Sequence, residues 1–219
     1  IVFSSSASVY GEPQSLPIDE AHPASPQSPY AESKHQVERI IEWHCSSQER
    51  WSAVILRYFN PVGAHASLRL GEDPSGIPSN LVPYMARVAT GIYPQLLVYG
   101  NDYPTKDGTG VRDYLDITDL ARGHACALDY LMSSANGCET FNLGTGSGVT
   151  VFELIEAFSA ASGRPIPARV VGRRDGDVAS CYAAVEKAEK YLDWRATRSI
   201  KEMCRTSWLF NEKLSKESS

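Results

Sequence analysis

The sequence predicts an α/β protein. Short, apolar, β-rich runs alternate with longer segments whose apolar residues recur at helical spacing, and two long stretches rich in Gly, Pro, Asn and Asp interrupt them. Strands and helices in alternation build a sheet flanked by helices, not a bundle or a sandwich. The 219 residues, 42% of them hydrophobic, suffice for one large domain or two small ones with a real core.

Each element follows from its own pattern. Ile1-Val2-Phe3 is strand-like from the first residue, with no initiator methionine and no polar lead-in, so the chain is expected to open inside a domain. Residues 31–48 place Val37, Ile40, Ile41 and His44 at helical spacing, and 53–58 form an apolar strand. Residues 96–99, 114–117, 140–143 and 168–171 read as further short strands, and 120–132 and 151–161 as further helices. Thr150 and Glu153 have the spacing of a capping box, in which the hydroxyl takes a helical N–H and the carboxylate reaches back. Segments 63–78 and 100–112 are expected to be ordered loops, and loops of that length in a compact domain usually serve function. The tail after Leu214, Ser-Lys-Glu-Ser-Ser, is expected to be disordered.

Composition narrows function by exclusion. A formal net charge of −5 and a pI near 5.6 provide no field to draw in nucleic acid or an anionic membrane. Cations for an anionic ligand must therefore be placed locally. Cys45, Cys126, Cys138, Cys181 and Cys204 are odd in number and lack metal-ligand spacing, so neither a disulfide framework nor a metal site is expected. No apolar stretch reaches the length of a membrane span and there is no signal-peptide start. A protein of the reducing cytoplasm is expected, with no nucleic-acid or membrane partner.

The strongest local signal is Tyr30-Ala31-Glu32-Ser33-Lys34, which follows Pro29 and opens a helical pattern. Residues four apart lie on one helix face, so the Lys34 ammonium can approach the Tyr30 phenol. A phenol is a poor base at neutral pH, and a nearby cation favours its phenolate. Tyr30 would then exchange a proton with a substrate hydroxyl. The same spacing also describes an ordinary surface pair. Upstream, Ser4-Ser5-Ser6-Ala7-Ser8-Val9-Tyr10-Gly11 follows directly on the first strand. Ligands gather at the carboxyl ends of strands in open α/β sheets, and hydroxyls there can pass a proton between substrate and base, although a Ser-rich turn also fits.

Together, Ser6, Tyr30 and Lys34 resemble the catalytic triplet of the extended short-chain dehydrogenase/reductases. More narrowly, Ser-Ser-Ser-Ala-Ser-Val-Tyr-Gly, Pro-Gln-Ser-Pro-Tyr-Ala-Glu-Ser-Lys, Leu-Arg-Tyr-Phe-Asn-Pro-Val-Gly-Ala-His and Gly-Asn-Asp-Tyr-Pro-Thr-Lys-Asp-Gly-Thr-Gly-Val-Arg-Asp-Tyr resemble, in order, those of UDP-glucose 4-epimerases. The likeness runs from Ile1 to about Trp208. Its block over 101–114 is specific to that family, whereas the Tyr-Lys spacing is shared across the superfamily. The resemblance implies that residues 1–61 are the C-terminal part of an NAD-binding Rossmann domain. Residues 62–219 would be mainly a smaller α/β domain for a UDP-sugar, with a segment near 112–133 packing back on the first. NAD is the implied cofactor, and the glycine-rich strand-to-helix turn that would cradle its pyrophosphate is expected upstream of Ile1. The run 144–148, Gly-Thr-Gly-Ser-Gly, comes late in the chain and lacks a later acidic residue for a ribose, so it is expected to be a loop and not a cofactor cradle.

The resemblance also implies roles for side chains. Ser6, Tyr30 and Lys34 would be catalytic. Ser4, Ser5, Tyr30, Lys34, Tyr58 and Phe59 would meet the cofactor, the last two beside the nicotinamide, although aromatics at a strand end also read as core. Substrate would meet Ser6, Ala7, Ser8, Asn60, Ser79, Asn80, Leu81, Leu97, Val98, Tyr99, Arg112, Arg174, Asp177 and Cys181. Arg112 and Arg174 would grip the diphosphate, to which a planar guanidinium is suited, and Asp177 the ribose hydroxyls. The implied activity is interconversion of UDP-glucose and UDP-galactose through a 4-keto sugar, by a homodimer, in galactose metabolism. Cys181 falls where the family varies between a bulky aromatic and a small residue, so its thiol leaves room for a 2-acetamido group and hence for UDP-N-acetylglucosamine. A 4,6-dehydratase on this scaffold must also remove a C5 proton, and its relatives carry Asp-Glu where this chain has Ala7 and Ser8. A UDP-pentose 4-epimerase and a non-catalytic sugar-nucleotide-binding protein stay open.

Overall fold

Parallel strand pairing organises the first half of the molecule and fixes where its polar side chains point. A computed structural model describes residues 1–48, 50–133 and 137–217. Its elements run β1 (Val2–Ser4), α1 (Pro29–Ser47), β2 (Ser52–Tyr58), β3 (Asn60–Val62), α2 (Leu81–Ala89), β4 (Leu96–Tyr99), β5 (Val111–Arg112), β6 (Tyr114–Asp116), α3 (Ile117–Ser133), β7 (Gly137–Leu143), β8 (Val149–Thr150), α4 (Val151–Ser162), β9 (Ala168–Val171), β10 (Ser180–Cys181), α5 (Glu186–Leu192) and α6 (Ile200–Glu217).

β1, β2 and β7 pair in parallel in the order β1-β2-β7, with Val2 opposite Val54 and Leu56 opposite Phe141. Successive side chains take opposite faces, as the pleat requires. Val54, Leu56, Phe141 and Leu143 pack with Leu120, Ala127, Leu192 and Trp194 on the α3 and α5 side. Ala53 packs with Ile41 and Cys45 of α1 on the other side, alongside Phe3 and Cys138. Full burial of a Leu or Phe contributes about 1.5–3 kcal/mol, so these two layers hold the sheet. α1 begins where Ser28 caps it, accepting from the Ala31 N–H at 3.1 Å, and Pro29 opens its first turn.

A second core lies among α2, α4 and α6, where Met85, Val98, Leu154, Phe158, Met203 and Trp208 are buried together. β4 pairs with β9, β3 with β6, and β5 lies between β10 and β8. The capping box of α4 forms as expected: the Glu153 N–H donates to Thr150 Oγ1 at 3.1 Å and the Thr150 N–H to Glu153 Oε2 at 3.0 Å. The Asn60 N–H donates to the Asp113 carbonyl at 2.9 Å, and a bridge joins Ile18 to Ala183, tying the two halves together.

The six expected strands and three expected helices are present; the strands over 96–99 and 168–171 keep their expected ends and the other elements have shifted ones. The strand expected over 114–117 stops at Asp116, whose carboxylate accepts from the Thr118 N–H at 2.8 Å and from the Thr118 hydroxyl, turning the chain into α3. β7, outside the 112–133 segment, also joins the first sheet. The short strands β3, β5, β8 and β10 and the helices α2, α5 and α6 were not expected. Disorder after Leu214 is corrected as far as Glu217: α6 continues to that residue, anchored by buried Met203, Cys204, Trp208 and Phe210. Ser218 and Ser219 lie outside the described residues. Among the described residues no helix is long and apolar enough to cross a membrane.

Candidate functional site

The three serines at the end of β1 go to three different places. Ser4 follows the strand alternation toward α3, its Oγ 2.7 Å from His124 Nε2. Ser5, one residue on, turns to α1 and gives its hydroxyl to Glu38, with no exposed surface. Its expected place at the cofactor is therefore unavailable to its side chain. Ser6 leaves the strand and caps the 3-10 turn Ala7–Tyr10, accepting from the Ser8 N–H at 3.2 Å and the Ser8 hydroxyl at 2.9 Å. It stays partly exposed, Ser8 is exposed, and Ala7 is buried.

Tyr30 lies in the first turn of α1 with 53% of its surface exposed. Lys34 Nζ, one turn later, is 5.7 Å from the Tyr30 ring centroid and donates to the Ser4 carbonyl at 3.0 Å. Tyr58, at the end of β2, is half-buried, and burial raises its pKa, with the neighbouring Tyr30 charge adding to the rise and the Ser4 hydroxyl working against it. The structure thus gathers Ser4, Tyr30, Lys34 and Tyr58. Phe59, expected beside a nicotinamide, is instead a core residue with Val9, Tyr10, Ile18 and Ala183, because it lies between β2 and β3 and its side chain turns to the layer opposite Tyr58.

Beneath this group is a buried polar network that the sequence reading missed. Glu38 follows Lys34 by one turn and is 1% exposed. It accepts from Arg57 Nε at 3.0 Å and from Arg57 Nη2 at 2.6 Å. The guanidinium lies 4.8 Å from the Tyr10 ring centroid, and the Tyr10 hydroxyl donates to Asn142 Oδ1 at 2.7 Å. Burial alone disfavours the Arg57 charge, but hydrogen bonds and charge from Glu38 more than offset it and raise its pKa. Burial pushes the Tyr10 phenol up to about 12, which keeps it neutral. The available signal was Arg57 inside an apolar strand, since a charge that cannot reach water needs a buried partner.

A second group holds the residues expected at the nucleotide. Arg112 stands opposite Cys181 in the β5–β10 register. Its Nη1 donates to the carbonyls of Val111 at 2.9 Å and Val178 at 2.8 Å, and its Nη2 is 3.5 Å from Asp177 Oδ1. Arg174 lies over the Tyr99 ring at 4.3 Å from its centroid. Cys181 packs against the cluster of Ala7, Phe59 and Ala183, which links the two groups, and burial pushes its thiol up to about 11. Leu97 is half-buried, whereas the Val98 side chain is buried in the second core. Asn80 stands at the N-cap position of α2, exposed and with its side chain making no capping bond, and donates to Glu72 Oε1 at 2.7 Å; Ser79 and Asn60 are exposed, and Leu81 is half-buried against the second core.

The loop over 101–114 is built around Asp107. Its carboxylate accepts from the Thr109 hydroxyl at 2.7 Å and from the Thr150 hydroxyl at 2.6 Å, docking the loop on the start of α4. Burial works against that charge, and the Thr150 and Thr109 hydrogen bonds still hold the carboxyl below its ordinary value. Gly108 has φ of +80°, and a Cβ there would sit 2.1 Å from the Asn101 carbonyl oxygen. Gly108→Ala is therefore expected to cost about 2 kcal/mol or more of stability, read as a lowered midpoint in urea; an unchanged midpoint would refute this account of the loop. The 144–148 run surrounds a carboxylate of the protein's own: Asp113 accepts from the N–H groups of Thr145 at 2.9 Å, Gly146 at 3.1 Å and Ala183 at 3.2 Å. Burial raises the Asp113 pKa in spite of them. Those amides already have an anion.

Known proteins share this fold. UDP-glucose 4-epimerase of Bacillus subtilis (strain 168) is 51% identical over 208 residues, which is 95% of this chain and 61% of the relative. The crystal structure of UDP-glucose-4-epimerase from Stenotrophomonas maltophila, with bound NAD and formylated UDP-arabinopyranose, superposes with a TM-score of 0.96 at 44% identity, covering 99% of this chain and 64% of that one. That of the Bifidobacterium longum enzyme, in complex with NAD+ and UDP, gives 0.93 at 49% identity over 97% of this chain and 63% of that one. The chain thus spans about 60% of the length of the curated relatives it matches. With the family model described as GDP-mannose 4,6 dehydratase matching residues 1–207, the chain belongs to that family.

Proposed function

We propose that this chain carries the proton-transfer and UDP-sugar-binding residues of an NAD-dependent UDP-glucose 4-epimerase. The observation that carries this reading is the exposed Tyr30 phenol with the Lys34 ammonium beside it, tied to the end of β1 next to the half-exposed Ser6. The family model takes its description from a dehydratase, but Ala7 and Ser8 supply no carboxylate for a C5 proton, which favours epimerisation.

Bound NAD⁺ would supply a reversible hydride acceptor for C4 of the sugar. Lys34 and Ser4 suit its nicotinamide-ribose end, since the Lys34 ammonium has donors to spare and lies at the carboxyl end of β1. The Thr145 and Gly146 amides of the 144–148 run, already bonded to Asp113, do not suit its pyrophosphate. Tyr30, as phenolate held by the Lys34 cation, would take the proton of the 4-hydroxyl beside Ser6 and later return it to the 4-keto sugar. Arg112 and Arg174 would bind the diphosphate and Asp177 the ribose, with Asp177 releasing Arg112 as the anion arrives. Holding the UDP end while the sugar turns over directs binding energy to the part that does not react.

Residues 1–61, with 112–133 packed back on them, would belong to the Rossmann domain, and the remainder of 62–219 would bind the UDP-sugar. A homodimer is proposed on the family likeness, with exposed Ile40 and Trp43 of α1 offering an apolar surface for it. The setting would be galactose metabolism in the cytoplasm. This chain alone, lacking the glycine-rich turn expected upstream, is expected to be inactive; the test is conversion of UDP-galactose to UDP-glucose with added NAD by this chain fused to an upstream glycine-rich dinucleotide half, and a folded, UDP-sugar-binding fusion with no turnover would instead favour a non-catalytic binding protein. UDP-arabinopyranose belongs in the same assay, because a formylated form of it occupies the Stenotrophomonas maltophila relative.

Cys181 carries a prediction about range. A small thiol on β10 leaves room beside Arg112, so UDP-N-acetylglucosamine should also be epimerised, and Cys181→Tyr should abolish that reaction while UDP-galactose turnover survives. Equal loss of both would show that the residue merely packs the site.

A further inference from the structure

We propose that Asp175-Gly176 is a site of spontaneous covalent modification, where the backbone rearranges through a cyclic imide to isoaspartate and displaces Arg174 from Asp177. The chemical part stands on the structure alone; the effect on a nucleotide rests on the proposed function. In an Asp-Gly pair the glycine amide nitrogen can attack the aspartyl carboxyl carbon, forming a cyclic imide with loss of water. Water then reopens the ring at either carbonyl. Opening at the former backbone carbonyl breaks its bond to the glycine nitrogen and leaves the chain running through the Asp side chain. Nothing is oxidised or reduced, and water is the sole co-reactant. Glycine favours the attack because no Cβ shields its amide and its backbone reaches the conformations that closure requires.

The sequence holds two Asp-Gly pairs, and the structure treats them oppositely. At Asp107-Gly108 the carboxylate accepts from the Thr109 N–H at 2.9 Å, the Thr109 hydroxyl at 2.7 Å and the Thr150 hydroxyl at 2.6 Å, while the Gly108 N–H donates to the Thr105 carbonyl at 3.4 Å. Both reacting groups are engaged. Against burial, those bonds also hold the Asp107 carboxyl below its ordinary value, in the ionised form that an amide attacks less readily. Asp175 and Gly176 are instead exposed, in a turn closed by the Asp177 N–H on the Arg174 carbonyl at 3.2 Å. Among the described residues neither the Asp175 carboxyl nor the Gly176 N–H makes a hydrogen bond, and a Cβ on Gly176 would meet open space. The turn is flanked by Arg174, over the Tyr99 ring, and Asp177, 3.5 Å from Arg112. An isoaspartyl link lengthens the backbone between them by a methylene, so the two cannot both keep their places. A nucleoside diphosphate that needs Arg112 and Arg174 together is then held less well.

The first measurement is the isoaspartate formed at each pair when this chain is aged at neutral pH, in buffer and in urea, read by peptide mapping with electron-transfer fragmentation. In buffer Asp175 should isomerise several-fold faster than Asp107. In urea the two rates should converge, because unfolding frees Asp107 from its bonds. The sequence also holds Asn136-Gly137, of which Asn136 lies outside the described residues; its product is told apart by the mass change on loss of ammonia. Equal rates in buffer, no isoaspartate at Asp175, or the same preference in urea would each overturn the inference. The second measurement is the affinity for UDP of the fusion to an upstream dinucleotide half, fresh and aged. Ageing should weaken binding several-fold in the molecules isomerised at Asp175, and Asp175→Glu, whose longer side chain closes a larger ring far more slowly, should age without loss. Undiminished binding by isomerised molecules would show that Arg174 and Asp177 keep their places and would overturn the displacement. If the fresh fusion does not bind UDP, the proposed function fails, and the peptide map alone decides the modification.

Discussion

Glu38→Ala is expected to cost about 3–5 kcal/mol of stability, because it leaves the Arg57 guanidinium in the interior without its counter-charge. Domains of this size are stable by about 5–15 kcal/mol, so the loss is a large fraction of the whole. Three bonds go at once: two from Arg57 and one from the Ser5 hydroxyl. The network spans α1, β2 and, through Tyr10 and Asn142, β7, so its failure loosens all three together. The check is the urea midpoint of Glu38→Ala against the parent and against Glu38→Leu/Arg57→Met. Replacing both charges with apolar groups of similar size removes the unpaired charge, and the double variant should be clearly more stable than Glu38→Ala. A Glu38→Ala midpoint close to that of the parent would mean that water reaches Arg57 and that the network does not hold the serine turn.

The fold was legible where local chemistry decides it. Ser28-Pro29 starts α1, and Thr150 with Glu153 starts α4, because caps are satisfied within a few residues. β5, β8 and β10 are two residues each, and nothing local distinguishes such a segment from a loop; they exist because partners meet across the chain. α6 carries Lys and Glu along its outer face, which masked the apolar stripe of Met203, Trp208 and Phe210. The same division holds for the candidate site. Tyr30 and Lys34 announce themselves by a four-residue spacing on one helix. Glu38 does not, since its bond to Ser5 depends on which serine faces which layer, and that is set by strand register. The glycines of the 101–114 loop and of the 144–148 run pointed toward ligands, yet Gly108 makes room for the Asn101 backbone and the later run wraps Asp113.

Those two carboxylates bear on how an acidic chain presents an anion site. Asp107 and Asp113 are each bonded to backbone or hydroxyl donors inside the loops. Arg112, by contrast, holds two carbonyls and only a longer contact to Asp177, so an incoming diphosphate competes with one carboxylate rather than a full set of partners.

Tyr30→Phe is expected to lower turnover of UDP-galactose by on the order of 10²–10⁴-fold, the usual loss when a general base is removed, with little change in stability. The ring is more than half exposed, so its hydroxyl contributes little to packing and the melting transition should hardly move. Lys34 separates charge from shape. Lys34→Met keeps the stem and removes the cation that favours the phenolate, and should approach the loss seen for Tyr30→Phe. Lys34→Arg keeps the cation and should retain part of the rate, although its larger fork cannot reproduce the single bond to the Ser4 carbonyl. If Tyr30→Phe turns over at the parental rate while Tyr58→Phe does not, the base is the half-buried phenol. If neither matters, the proton moves through Ser6 to solvent, and the Tyr30–Lys34 pair is a surface contact on an amphipathic helix.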